Sequence, residues 1–216
     1  ARFNRQQWIR LREPLVRDLL MDAQEFSMHD RLIIIGAGGH GSVLAETAQL
    51  VGFWENISFL DDQPDRVHTS HLPILGSTAD AHLYKNNADF IVAIGDNSQR
   101  KSILSNLIVS EYSIATLIHP RSVVSNNTTI GRGSVVMAGS VISTNCTIGN
   151  GCIINTSASV DHDTTLANYV HVSPGVNLGG DVKVEESVWL GIGSTVINGI
   201  NIIRGSVIGA GAVVIK

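Results

Sequence analysis

Thr128–Val160 reads TTIGRGSVVMAGSVISTNCTIGNGCIINTSASV, and every sixth residue of it is aliphatic: Ile130, Val136, Ile142, Ile148, Ile154 and Val160. The same step runs outward in both directions. It begins at Ile118 and Val124, and continues through Leu166, Val172, Leu178, Val184, Leu190, Val196, Ile202 and Ile208 to Val214. All seventeen positions hold Ile, Val or Leu. For residue types that make up about a third of a chain, such a run has chance odds of about one in 10⁸. The position two before each aliphatic is small or β-branched, as at Thr128, Ser134, Ser140, Cys146, Cys152, Ala158 and Thr164. Glycine follows the aliphatic at Gly131, Gly149, Gly179, Gly191 and Gly209, where the chain is expected to turn.

A strict period of six matches neither the 3.6 of a helix nor an array of hairpins. It matches a solenoid in which each hexapeptide makes one short strand and one corner, and three hexapeptides close a triangular coil. The aliphatics then point inward and stack into one continuous core. Residues 118–214 would make roughly five such coils.

The solenoid is expected to be regular except between Asn155 and Gly180. There the sequence reads Asn155-Thr156-Ser157, Asp161-His162-Asp163, His171-Val172-Ser173 and Gly179-Gly180-Asp181. Gly180 follows His162 by one coil and should lie above it on the same face. His171 is half a coil from His162, around the triangle. A histidine between two carboxylates suits general-base work, because its ordinary pKa is near neutrality and a carboxylate can orient the ring. An exposed Gly180 N–H could stabilise an oxyanion. The plainer alternatives are a solvated corner histidine at 162, a hydrogen-bonding surface group at 171 and, for the whole chain, a non-catalytic nucleotide-binding module with a structural solenoid.

The first half has a different pattern. Arg31–Ile35 reads as a buried strand, followed by Gly36-Ala37-Gly38-Gly39-His40-Gly41 and a helix ending near Gly52. Further strands are expected at 57–60, 90–94 and 114–118, with helices near 78–87 and 98–109. Strands alternating with helices predict a small parallel sheet, a Rossmann-like α/β domain over residues 30–115 ahead of the β-helix at 116–216. The glycine loop fits G-x-G-x-x-G, whose backbone N–H groups can approach a diphosphate at a helix N-terminus. That supports anion binding more firmly than NAD. His40 either faces a ligand or caps the helix. Asp61 and Asp62 end the second strand, where a polar ligand edge can be read.

Composition narrows the classes. Hydrophobic residues make up 44% and charged residues 16%, which specifies a folded core rather than a disordered chain. A net charge of −4 argues against a nucleic-acid partner. No run of 18 apolar residues occurs, so no membrane-crossing helix is expected, and nothing reads as a secretory signal. Two cysteines without a disulfide framework make a reducing cytoplasmic setting the default. His68-x-x-His71 falls short of a metal site, and no metal is expected. Residues 1–29 read as amphipathic helical turns ahead of the first domain. The chain opens on Ala1 rather than Met, as a fragment or processed product would.

Taken together, the glycine loop, Phe59-Leu60-Asp61-Asp62, Leu72-Pro73-Ile74-Leu75-Gly76, Ala93-Ile94-Gly95-Asp96-Asn97, Ile118-His119-Pro120 and the Asn155–Ser173 motifs resemble the NeuD/PglD-type sugar acetyltransferases. These are hexapeptide-repeat enzymes that N-acetylate UDP-4-amino-sugars, as in bacillosamine synthesis, or O-acetylate sialic acid. The resemblance implies a left-handed β-helix, a homotrimer, and acetyl-CoA lying along the solenoid between neighbouring subunits. It implies His162 as general base oriented by Asp163 or Asp161, with Asn155 and His171 lining the transfer site. Gly180 would face the thioester, and Ser173 and Gly191 would belong to the acetyl-CoA site. Gly38, Gly39, His40 and Gly41 would face the pyrophosphate and sugar of a UDP-amino-sugar, and Asp61, Asp62, Asn97 and Arg100 would lie near the nucleotide. Residues 1–29 could be the junction to an upstream membrane phosphoglycosyltransferase, as in bifunctional relatives. The sequence departs from the family after the last coil: relatives continue into a Gly-x-Pro-Ala-Lys-like segment that helps hold CoA.

Overall fold

The computed structural model describes residues 29–63 and 71–216. The expected helical turns before residue 29, and His68, lie outside the described residues. Strands β1 (Arg31–Ile35), β2 (Asn56–Leu60) and β3 (Asp89–Val92) form a parallel sheet in the order β2-β1-β3. Alternation along β1 sets the layers, because successive side chains leave opposite faces of a strand. Leu32 and Ile34 pack with Leu44, Ala45 and Ala48 of α1 (Gly39–Val51). Ile33 and Ile35 pack with Leu104 and Leu107 of α2 (Asn97–Val109). Helix α1 stops where Gly52 takes a left-handed conformation and donates its N–H to Ala48 O.

Two expected elements differ. The helix near 78–87 is a 3₁₀-helix, Thr78–Tyr84, started by a reciprocal Ser77–Asp80 cap. The strand expected over 114–118 divides. Ile114 makes a single bridge to Phe90, while Leu117–Ile118 pairs with Val135–Val136 and becomes the first rung of the solenoid.

From Leu117 to Val214 the chain forms seventeen two-residue strands, gathered into three parallel sheets of six, six and five strands. This is the left-handed parallel β-helix with an α/β domain at its N-terminal side. Every rung below the last coil pairs with the residue 18 later, as in Ile118↔Val136, Ile154↔Val172 and Val160↔Leu178. Backbone bonds tie the coils, for example Val135 N–H to Cys152 O at 2.9 Å and Met137 N–H to Ile154 O at 2.9 Å. The repeated aliphatics from Val136 to Ile202 are all buried in one core, together with the small residues two before them.

The corners correct one expectation. The glycine directly after an aliphatic is not where the chain turns left-handed. That happens three residues after the aliphatic, at Gly133, Gly139, Asn145, Gly151, Ser157, Asp163 and Tyr169, and so on up the stack. Gly149 is small for another reason: a Cβ there would lie 2.7 Å from Asn168 N of the next coil. Close stacking, rather than backbone conformation, demands it.

The α/β domain rests on the first face of the solenoid, where Leu117, Val135 and Ile153 join the core of α1. Arg100 rivets the two parts. Its side chain is 1% exposed, and burial lowers its pKa to about 10, which leaves it charged at neutral pH. It donates to Gly151 O (2.7 Å) and Tyr169 O (3.0 Å) in the solenoid, and to Ile94 O and Gly95 O (both 3.0 Å) in the α/β domain. Arg100→Met should cost about 2–4 kcal/mol, since buried carbonyls lose a charged donor. Urea unfolding measures this, and parental stability would contradict the rivet.

Candidate active site

Two groups of polar residues stand out, and they lie on different sides of the solenoid. The first gathers at the carboxyl ends of the parallel strands. Gly36 (φ 100) and Gly41 make the loop tight: Gly41 is buried, and a Cβ on it would collide with Gly36 O. Gly38 is the N-cap of α1 with no side-chain capping bond, and a Cβ on Gly39 would meet nothing within 4 Å. The backbone is therefore open at Gly39, beside the carboxyl ends of the strands. His40 follows, and its Nε2 is buried without a hydrogen-bond partner among the described residues. Burial, and then the charge of Arg100, push His40 down to about 4, so it is neutral at physiological pH.

The acidic residues expected to read a nucleotide are engaged by the protein itself. Asp61 accepts from Ala37 N–H and Gln63 N–H, both at 2.7 Å, and so latches the glycine loop. Asp62 accepts from Thr78 N–H at 2.8 Å. Asn97 donates to Ser187 O (3.0 Å) and Val188 O (3.2 Å), and Arg100 is the rivet described above. Asn97 and Arg100 thus form a wall of the junction between the two parts and spend their donors inside it.

That wall leads to His171, on the outward side of the first solenoid face. Its Nε2 is 3.5 Å from Asn155 Nδ2. Burial first, then Arg100 and His40, lower it to about 4, against a hydrogen bond to the Gly95 carbonyl that acts the other way. One coil above, Trp189 stacks nearly parallel to the imidazole, with centroids 6.2 Å apart, and donates from Nε1 to Ser173 Oγ at 2.9 Å. Asn155, His171, Ser173 and His40 are therefore one neighbourhood. The sequence reading missed Trp189, although it follows His171 by the same 18 residues that pair their rungs.

The second group is His162 with its turn, at the corner between the second and third faces. His162 Nδ1 is 2.7 Å from Asp163 Oδ2, and the side chain is 56% exposed. Asp161 caps the same turn by accepting from His162 N–H at 2.9 Å. The hydrogen bond to Asp163, followed by the charge of Asp161, raises the His162 pKa above its ordinary 6.5. The sequence placed Gly180 one coil above, and there it is. A Cβ on Gly180 would lie 2.6 Å from His162 Cε1 and 2.7 Å from Nε2, so the ring lies flat against the bare glycine. No acceptor for the Gly180 N–H is found among the described residues. A base nitrogen and an unpaired amide donor thus share one corner. Gly191 is not at this corner: it follows Leu190 one coil above Ser173, in the column of the first group, and a Cβ on it would lie 2.6 Å from Ile208 O of the next coil. Among the described residues no group of three or more His, Cys, Asp or Glu could hold a metal ion.

Known proteins share this architecture. The sequence model of the PglD N-terminal domain matches residues 31–107. The acetyltransferase domain of PglB from Neisseria gonorrhoeae superimposes with a TM-score of 0.82 at 38% identity, covering 86% of this chain and 91% of that one. The chain belongs to the PglD-type sugar acetyltransferase family of hexapeptide-repeat proteins. PerB from Caulobacter crescentus, solved with CoA and GDP-perosamine, gives a TM-score of 0.80 at 35% identity, covering 86% of this chain and 88% of that one. The UDP-N-acetylbacillosamine N-acetyltransferase of Bacillus subtilis is 38% identical over 108 residues, which is 49% of this chain. The chain spans about half the length of that curated relative.

The geometry predicts that Gly180→Ala folds but drives the His162 ring out of place. Turnover should fall about ten- to a hundredfold, with the melting temperature nearly unchanged. A parental rate would show that the contact does not matter.

Proposed function

We propose that the protein transfers an acetyl group from acetyl-CoA to the 4-amino group of a UDP-linked deoxy-amino-sugar. The observation that carries this is the corner where His162, tied to Asp163 at 2.7 Å, lies against Gly180. The acceptor amine attacks the thioester carbonyl and the C–N bond forms. His162 Nε2 takes the amine proton, while Asp163 fixes the ring through Nδ1 and Asp161 holds the turn. The Gly180 N–H receives the developing oxyanion. The C–S bond then breaks, and the proton passes to the CoA thiolate, giving the amide and free CoA.

The acceptor's diphosphate suits the open backbone of Gly38 and Gly39 at the N-terminus of α1, in a cleft between the loop and the solenoid, where the helix dipole favours negative charge; Gly41 is buried and shapes the loop from behind. Asn155, His171 and Ser173 line the approach from that cleft. His162 stands at a different corner of the same solenoid, so one chain holds two halves of a site. A homotrimer, in which one copy's cleft faces its neighbour's His162 corner with acetyl-CoA between them, completes it. The relative solved with both CoA and GDP-perosamine supports a nucleotide amino-sugar acceptor and a CoA-borne donor. Acetyl-CoA as donor and two buried free cysteines suit a cytoplasmic setting.

Incubation with acetyl-CoA and a UDP-4-amino-sugar, followed by free-thiol detection, tests the proposal. CoA release with that acceptor, and little with sialic acid, is expected; release only with sialic acid would move the reading to O-acetylation. No release with any sugar would remove it. His162→Ala should lower the rate by about 10²–10⁴. A base works when neutral, and the His162 pKa is raised, so kcat/KM should rise with pH along a limb centred above 6.5. A limb centred below 6.5, or near-normal turnover in the folded alanine variant, would exclude His162 as the base. In light scattering, a trimer is expected and a monomer would contradict the shared site.

A further inference from the structure

The 18-residue step that links His162 to Gly180 above also links Asp163 to Asn145 below. Asn145 Nδ2 donates to Asp163 Oδ1 at 3.2 Å, leaving Oδ2 for the His162 ring. The amide is itself oriented. Thr144 Oγ1 donates to Asn145 Oδ1 at 3.4 Å, which turns the Asn145 NH₂ toward the carboxylate, and Asn127 Nδ2 donates to Thr144 Oγ1 at 3.5 Å. Donation thus runs up the corner from Asn127 to Thr144 to Asn145 to Asp163, and the Asp163 carboxylate also accepts from His162, so the bonds converge on it from below and from its own turn. Asn145 and Asp163 both have left-handed backbones, with φ of 58° and 60°. Among side-chain-bearing residues, Asn and Asp tolerate that conformation best, so the corner can carry polar groups at successive coils.

We infer that Asn145 is a positioning residue for the general base: it holds, from one coil below, the carboxylate that orients His162. The inference rests on the acetyl-transfer reading of this corner. An exposed carboxylate held by the histidine alone can rotate; a second donor on its other oxygen restricts it to the rotamer that meets Nδ1. The two bonds, from His162 and then from Asn145, also hold the Asp163 pKa below its ordinary value. The charged groups that act on His162 are Asp163 and Asp161 in its own turn and Asp181 in the coil above. Asn145 supplies the neutral donor from the coil below.

The test uses Asn145→Gly and Asn145→Asp, both compatible with a positive φ, so that the corner keeps its path. In the glycine variant kcat should fall about five- to tenfold with KM for acetyl-CoA little changed. The acid limb of kcat/KM should move down toward 6.5, because the carboxylate no longer stays on the ring. In the aspartate variant the added charge should move that limb up. A purely structural residue would not shift the two limbs in opposite directions. NMR titration of the His162 ring, which needs no turnover, should show the same opposite shifts. Unchanged midpoints in both variants would overturn the inference, even if His162→Ala abolishes activity. If the parent releases no CoA with any amino-sugar, the catalytic reading fails, and the titration still decides whether Asn145 governs the ring.

Discussion

The structure depends on parallel pairing between residues 18 apart. Each coil is too small to bury its own aliphatics, so stability comes from stacking, and stacking requires the same inward residue at each level. The three sheets then run as straight columns, and the corners between them inherit the same register. A side chain at a corner has fixed neighbours one coil up and one coil down. The site at His162 is a consequence of that lattice: Asp163 beside it in sequence, Gly180 above and Asn145 below.

Three histidines show how the same ring is held in different states. His40 and His171 lie against the junction between the domains, where burial and the nearby Arg100 keep them neutral. His162 stands in solvent among carboxylates and is more readily protonated than a free histidine. A buried neutral ring and an exposed basic one suit different tasks, and half a coil separates His171 from His162. Arg100 serves both purposes of the junction: it joins the two domains through backbone carbonyls, and its charge acts on the two neutral rings.

Much of this was readable in the residues, for a definable reason. The aliphatic ladder occupies identical environments at every coil, so its period is unbroken in sequence, and it predicted both the solenoid and the placing of Gly180 over His162. The corner glycines were harder. Gly149 sits after an aliphatic and looks like a turn residue, yet the left-handed position is two residues further on, at Gly151. Polar side chains were the least legible. Asp61 reads as a ligand contact but latches Ala37, and Arg100 and Asn97 spend their donors on the solenoid. A sequence shows which groups can bind something, not whether the protein already occupies them. Trp189 and Asn145 were missed because neither belongs to a motif. Both lie one coil from a residue that does, and the 18-residue step finds them once it is applied to side chains that point outward as well as inward.

The claim on which the account turns is that the His162 corner is where a thioester is opened. A crystal structure of the protein with coenzyme A bound tests it most directly. The account predicts the pantetheine arm running along the solenoid between two copies, with its sulfur beside the Gly180 amide and within reach of His162 Nε2. Pantetheine seated on another face, with its sulfur remote from every copy of His162, would contradict it.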